Sequence, residues 1–221
     1  MIYKAAIFDM DGTLVNTLED LADSVNEMLE IYNFPQRTLD EVRQFVGNGA
    51  RKLMERSLPA EKSSDKNFVD DALETYNKCY SRQVLNKTKP YAGIMELLTQ
   101  LQKKNIPLGI CTNKQNFAAQ IIAEKILSPI KFQKVFGDEK NQPRKPNPTR
   151  PLEISKSFGV EPAEVAYFGD TAVDMETANN AGFLPVGVTW GFRPESELQE
   201  SGAKIIIHSP QEIFNFIDFG G

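Results

Sequence analysis

The stretch that decides the fold runs Ala5-Ala6-Ile7-Phe8-Asp9-Met10-Asp11-Gly12-Thr13-Leu14-Val15. Four apolar residues in succession, without polar alternation, suit a strand buried on both faces of a parallel sheet. Two acids one residue apart, then a glycine and a threonine, end that run. From Leu18 the period becomes helical, with Leu18, Leu21, Ala22, Val25, Met28, Leu29 and Tyr32 recurring at three- and four-residue steps. Further helices are expected near 38–46, 50–58 and 66–85, the last presenting Val69, Ala72, Leu73, Tyr76 and Tyr80 on one face. No strand signal interrupts 16–86.

After Pro90 helix and strand alternate. Ile94, Leu97, Leu98 and Leu101 mark a helix that stops at Asn105, and Pro107 to Cys111 reads as a short buried strand. A helix with Phe117, Ala118, Ile121 and Ile122 follows, then an extended stretch at 132–136, then a helix from Thr149 to Phe158 closed by Gly159. Strands at 165–168, 185–189 and 203–207 are separated by a helix at 172–181, and a helix with Ile213, Phe214 and Ile217 completes the chain. This alternation predicts an α/β fold, a doubly wound, Rossmann-like parallel sheet with right-handed crossovers. The helical block is then an insert after the first strand. The expected division is an α/β core of residues 1–14 and 89–221 and a helical cap of 15–88.

Composition narrows the function classes. With 221 residues, 41% hydrophobic and 25% charged, the chain has the balance of a soluble globular protein. A net charge of -5 argues against nucleic acid as a partner, because that interaction needs a cationic field. No apolar run approaches the roughly 18 residues of a membrane span, and the first one is too short for a leader peptide. Cys79 and Cys111 are far apart and form no metal or redox motif. A reduced, cytoplasmic setting is the expectation.

In a doubly wound sheet, ligands bind beyond the carboxyl ends of the strands. Asp9-Met10-Asp11-Gly12-Thr13 follows the first strand, Thr112-Asn113 the second, and Gly169-Asp170-Thr171 a later one, with Asp174 four residues past Asp170. Lys145 lies between the last two, in Arg144-Lys145-Pro146-Asn147-Pro148. Crowded carboxylates repel one another unless a cation binds among them, and hard oxygen donors suit Mg²⁺. An ammonium, a hydroxyl and an amide beside such an ion make a phosphate pocket. Uncatalysed phosphate-monoester hydrolysis is slow enough to need accelerations up to about 10²¹-fold. A carboxylate nucleophile, a second carboxyl for proton transfer and a metal ion supply that together.

These four segments, in this order and over nearly the whole chain, resemble the four motifs of the haloacid-dehalogenase-like superfamily. The resemblance implies that Asp9 attacks phosphorus and forms an aspartyl phosphate, while Asp11 protonates the leaving oxygen and then activates water. It implies Mg²⁺ held by Asp9, the backbone carbonyl of Asp11 and Asp170, with Asp174 in support. Thr112 and Lys145 would hold the phosphoryl group, and the helical insert would be a mobile lid. More narrowly, Thr13-Leu14-Val15, Phe45-Val46-Gly47-Asn48-Gly49-Ala50, Arg144-Lys145-Pro146 and Trp190-Gly191 resemble bacterial phosphoglycolate phosphatases. That implies a small phosphorylated metabolite, 2-phosphoglycolate, as substrate. Asn16 departs from the aspartate that many relatives carry there.

Plainer readings stand beside these. An Asp-Gly pair after a strand is an ordinary turn, and Asp174 is placed to be a dipole-favoured residue of a first helical turn. Gly47-Asn48-Gly49 lacks the third glycine of a dinucleotide fingerprint, since Lys52 stands there. Asn48 and Arg51 are candidate contacts to an anionic substrate, with a lid turn and a solvated helix arginine as the alternatives. Asn113 is a candidate hydrogen-bond donor to the phosphoryl group. Rival enzyme readings are a sugar phosphomutase and a pyrophosphatase; non-enzyme ones are a phospho-receiver and a catalytically dead binding protein.

Overall fold

The computed structural model describes residues 1–220. At its centre is β1 (Ala5–Phe8), whose four side chains are all buried, Ala6 and Phe8 in the core on one face and Ala5 and Ile7 in the core on the other. An unbroken apolar run has this burial in a parallel sheet covered on both sides. The chain continues through β2 (Val15–Asn16), α1 (Leu18–Ile31), α2 (Leu39–Phe45), α3 (Ala50–Ser57), α4 (Ala60–Ser63), α5 (Lys66–Gln83) and β3 (Lys89–Pro90). It then alternates through α6 (Ile94–Lys103), β4 (Leu108–Gln115), α7 (Asn116–Lys125), β5 (Lys134–Asp138), α8 (Thr149–Phe158) and β6 (Val165–Gly169). It finishes with α9 (Ala172–Ala181), β7 (Leu184–Val188), α10 (Glu195–Glu200), β8 (Ile205–Ile207) and α11 (Ile213–Phe216).

The six long strands form one sheet in the order β5-β4-β1-β6-β7-β8, with every neighbouring pair parallel. From β1 the chain builds outward through β4 and β5, then returns to β1's other side for β6, β7 and β8. The winding direction reverses beside β1. A crevice therefore opens at the carboxyl end of β1, which is where Asp9 and Asp11 stand.

The helical insert leaves and returns through a neck in which β2 and β3 pair antiparallel, Val15 opposite Pro90 and Asn16 opposite Lys89. Asp20 fixes that neck. Its buried carboxylate accepts from the backbone N–H of Lys87 and Thr88 and from the Thr88 hydroxyl. Within the insert, α1 buries Leu18, Leu21, Ala22, Val25, Met28 and Leu29, and α5 buries Val69, Ala72, Tyr76, Cys79 and Tyr80. These are the two apolar stripes legible in the sequence. A Thr38–Glu41 capping box starts α2. Among the described residues no helix is long and apolar enough to cross a membrane.

The structure departs from the sequence reading in the short helices α4 and α10, which carry no clear periodicity, and in two features nearer the crevice. The neck strands were not visible, since two-residue strands carry no periodicity. Strand β4 also runs to Gln115, four residues past Cys111, because pairing with β5 resumes at Gln115 opposite Asp138. Its polar end, Thr112 to Lys114, is nonetheless buried under the insert.

Candidate active site

Asp9 leaves β1 and turns into the crevice. Gly12 follows with φ of +81°, and a Cβ there would lie 2.2 Å from Asp170 Oδ2, so both backbone and space require glycine. Gly191, after β7, packs equally close: a Cβ would lie 2.3 Å from Asp170 Cβ and 2.5 Å from the Gly12 carbonyl oxygen. Asp170 is thus clasped by two glycine backbones. Its carboxylate accepts from the Thr13 hydroxyl (3.1 Å) and the Phe192 N–H (2.8 Å).

Asp174 sits in the first turn of α9, fully buried, accepting from the Thr171 N–H (3.1 Å) and hydroxyl (2.6 Å). Its other oxygen accepts from Lys145 Nζ at 2.6 Å, and the same ammonium lies 2.9 Å from Asp9 Oδ1. One Asp174 oxygen thus caps a helix while the other faces Lys145.

One carboxylate oxygen from each of Asp9, Asp170 and Asp174 lies within 4.8 Å of the others. Three acids face one ammonium. Burial, opposed by Lys145 and reinforced by Asp174, lifts Asp9 from 3.8 to about 6. Burial, followed by Asp174 and Asp9, pushes Asp170 well above the usual carboxylate range. Burial opposes the Lys145 charge too, yet Asp174 and Asp9 overcome it and hold that ammonium above the ordinary lysine value. Among the described residues, buried Asp9 Oδ1 has no hydrogen-bond donor, because Lys145, though close, lies off the hydrogen-bonding direction. Excess negative charge, hard oxygens and an orphaned buried acceptor fit a divalent cation, which would relieve all three at once.

The Asp11 carboxylate lies outside this group. It accepts from the Thr17 hydroxyl (2.7 Å) and from Lys114 Nζ (2.8 Å). One carboxyl thus faces the acidic cluster while the other is held apart against a cation. Thr112 borders the same cavity as Asp9, and its Oγ1 accepts from the Lys114 N–H (3.2 Å). A cavity of about 40 Å³ joins these groups, bordered by Asp9, Thr112 and Lys114 below and by Gly47, Leu53 and Tyr80 of the insert above.

Other expected contacts are placed differently. The Asn113 amide is engaged by backbone: Nδ2 donates to the Gly47 and Lys145 carbonyls, and Oδ1 accepts from the Lys145 N–H. It borders the cavity but ties the Lys145 loop to the insert. Arg51 pairs with Asp70 (2.7 Å) and Lys52 with Glu55 (2.5 Å), both acids of the insert itself. Neither Arg51 nor Asn48 borders the cavity, whereas Gly47 and Gly49 do. Lys114, two residues past Thr112, carries no signal in the sequence, because the apolar run that marks the strand ends at Cys111. Nor does Arg193, which follows the Trp190-Gly191 pair, carry one. The Arg193 guanidinium donates to the carbonyls of Arg43 (2.7 Å), Gln44 (3.0 Å) and Val46 (2.6 Å), fastening core to insert at the end of α2.

Comparison with known proteins gives the family. The family model described as haloacid dehalogenase-like hydrolase matches residues 6–188. The chain belongs to that family of hydrolases, and is an enzyme. It is similar to a phosphoglycolate phosphatase of Haemophilus influenzae, 33% identical over 90% of this chain and 91% of the relative. It is also similar to phosphoglycolate phosphatase 1 of Pseudomonas aeruginosa, 28% identical over 97% of this chain and 80% of the relative. A crystal structure from Lactobacillus delbrueckii subsp. bulgaricus, provisionally named a phosphoglycolate phosphatase, superposes with a TM-score of 0.91 at 29% identity, covering 100% of both chains.

Proposed function

We propose that the protein is a Mg²⁺-dependent phosphatase that hydrolyses a small phosphomonoester, 2-phosphoglycolate foremost, through an aspartyl phosphate on Asp9. The observation that carries the reading is the division of labour between two carboxyls two residues apart. Asp9 faces Lys145 and the acidic cluster, while Asp11 is held separately by Thr17 and Lys114. A carboxylate oxygen of Asp9 attacks phosphorus, and the bond to the ester oxygen breaks. That oxygen takes the proton of Asp11 as the alcohol leaves. A water then gives a proton back to Asp11 and attacks phosphorus, breaking the bond to Asp9 and releasing inorganic phosphate. Thr112 and Lys145 orient the phosphoryl oxygens throughout.

Asp9, Asp170 and the Asp11 carbonyl would hold the Mg²⁺, with Asp174 close behind; when bound, the ion supplies Lewis-acid neutralisation of phosphoryl charge. The insert of residues 15–88 acts as a lid on the core of 1–14 and 89–221, excluding water when closed. The cavity of about 40 Å³ between insert and core favours a small leaving group. The relatives named phosphoglycolate phosphatase support the same substrate.

The test is phosphate release from 2-phosphoglycolate, β-glucose 1-phosphate, pyrophosphate and an aryl phosphate, with Mg²⁺ and with chelator. The highest kcat/KM is expected for 2-phosphoglycolate, with release abolished by chelator. More than tenfold preference for another substrate overturns the substrate assignment. Conversion of β-glucose 1-phosphate to glucose 6-phosphate without net phosphate release makes the enzyme a mutase.

A further inference from the structure

Lys114 is 2% exposed at its side chain and reaches the cavity from the end of β4. An ammonium has three N–H donors, and among the described residues its hydrogen-bond partner is Asp11 alone. The Nζ otherwise lies over the Tyr80 ring, 4.8 Å from its centre. A buried lysine with donors to spare is costly unless something else supplies acceptors. A second observation points to the same place. Tyr80, buried in α5 of the insert and bordering the same cavity, has a hydroxyl without a hydrogen-bond partner among the described residues. Core and lid thus each bring an unused donor to the space where a leaving group would sit. Lys114 is also the cation among the side chains bordering that cavity, since Arg51 and Lys52 are neutralised by insert acids and stand outside it.

We infer that Lys114, with the Tyr80 hydroxyl, is the specificity site of the enzyme and binds a carboxylate on the leaving group of the substrate. This rests on the phosphatase reading and deepens it. The phosphoryl end is held by groups that every phosphoester engages alike, so discrimination falls to the opposite end. There a carboxylate completes the ammonium's hydrogen bonding, whereas a neutral hydroxymethyl group is a weaker acceptor for an ammonium that Asp11 already balances but does not saturate. Because Tyr80 belongs to the insert and Lys114 to the core, a carboxylate between them also draws the lid shut. Its affinity for the closed form exceeds that for the open one.

The experiment compares 2-phosphoglycolate with 2-hydroxyethyl phosphate, which differ by the carboxylate. The wild-type enzyme is expected to prefer the former in kcat/KM on the order of 30-fold. Lys114→Met should bring that ratio below about threefold, Tyr80→Phe should lower it severalfold, and Lys114→Arg should keep most of it. Should Lys114→Met fail to fold, Lys114→Gln and Tyr80→Phe carry the comparison. If Lys114 only steadies Asp11, Lys114→Met slows both substrates equally; an unchanged ratio overturns the inference. A wild-type enzyme that shows no preference for 2-phosphoglycolate overturns the substrate reading itself, and the inference with it.

Discussion

Lys145→Met removes the one ammonium that stands among three acids, and its effect can be worked from the distances. Nζ lies 2.9 Å from Asp9 and 2.6 Å from Asp174. At an effective dielectric near 20 those contacts amount to about 5.7 and about 6.4 kcal/mol of gross attraction. Most of this offsets the desolvation of the charges, and deleting one partner of a buried pair typically costs about 3–5 kcal/mol. That is a large share of a total stability of roughly 5–15 kcal/mol. Without metal, the variant is therefore expected to lose about 3–5 kcal/mol in urea denaturation. Since Lys145 pulls Asp9 downward, its loss lifts Asp9 above about 6, so fewer nucleophiles are ionised at neutral pH. A divalent cation attracts the same carboxylates, so Mg²⁺ should return part of the lost stability without restoring full turnover. The measurement is the urea midpoint with chelator and with saturating Mg²⁺. A loss below about 1 kcal/mol with chelator, or one of the same size with Mg²⁺, would refute the picture of a charge cluster balanced by Lys145.

Gly191→Ala places a Cβ 2.3 Å from Asp170 Cβ and should cost about 1–3 kcal/mol while weakening Mg²⁺ affinity at least tenfold. Gly159→Ala, with φ of +67° but nothing within 4 Å, should cost about 1–2 kcal/mol and leave metal affinity alone; calorimetry on both variants separates the effects. The pH dependence follows from raised carboxyls, whose folded-state protonation contributes stability below their unfolded value. For Asp9 that contribution is lost as pH rises from 3.8 through about 6, about 3 kcal/mol in metal-free protein. Mg²⁺ binds the ionised acids, so its effect on Tm should grow from pH 4 to pH 7 and then level; a shift independent of pH argues against this cluster as the metal site. Arg193→Ala leaves three carbonyls at the end of α2 without their donor. Faster proteolytic cleavage within the insert and a severalfold lower kcat/KM are expected, and unchanged cleavage would show that this guanidinium does not hold the lid.

The sequence by itself determined the main helices and strands and the candidate acids, because both are written in local pattern. The apolar run Ala5 to Phe8, the stripes of α1 and α5, and the turn-forming acids of Asp9 to Thr13 each depend on residues a few positions apart. Motif order sufficed to place Asp9, Lys145, Asp170 and Asp174 at one sheet edge, since a doubly wound sheet collects its carboxyl ends there. Tertiary structure decided which neighbour each polar side chain serves. Arg51 and Lys114 look alike in sequence, a cation near a candidate loop, yet Arg51 is paired with Asp70 from α5 while Lys114 is buried against Asp11. The partners stand 19 and 103 positions away in the chain, and only the folding of the insert over β4 brings either pair together. The same holds for Asn113 and Arg193, whose contacts with the Gly47 and Val46 carbonyls join core to insert. Hydrogen-bonding capacity is a property of the residue, but its use is set by whatever packing leaves within about 3 Å.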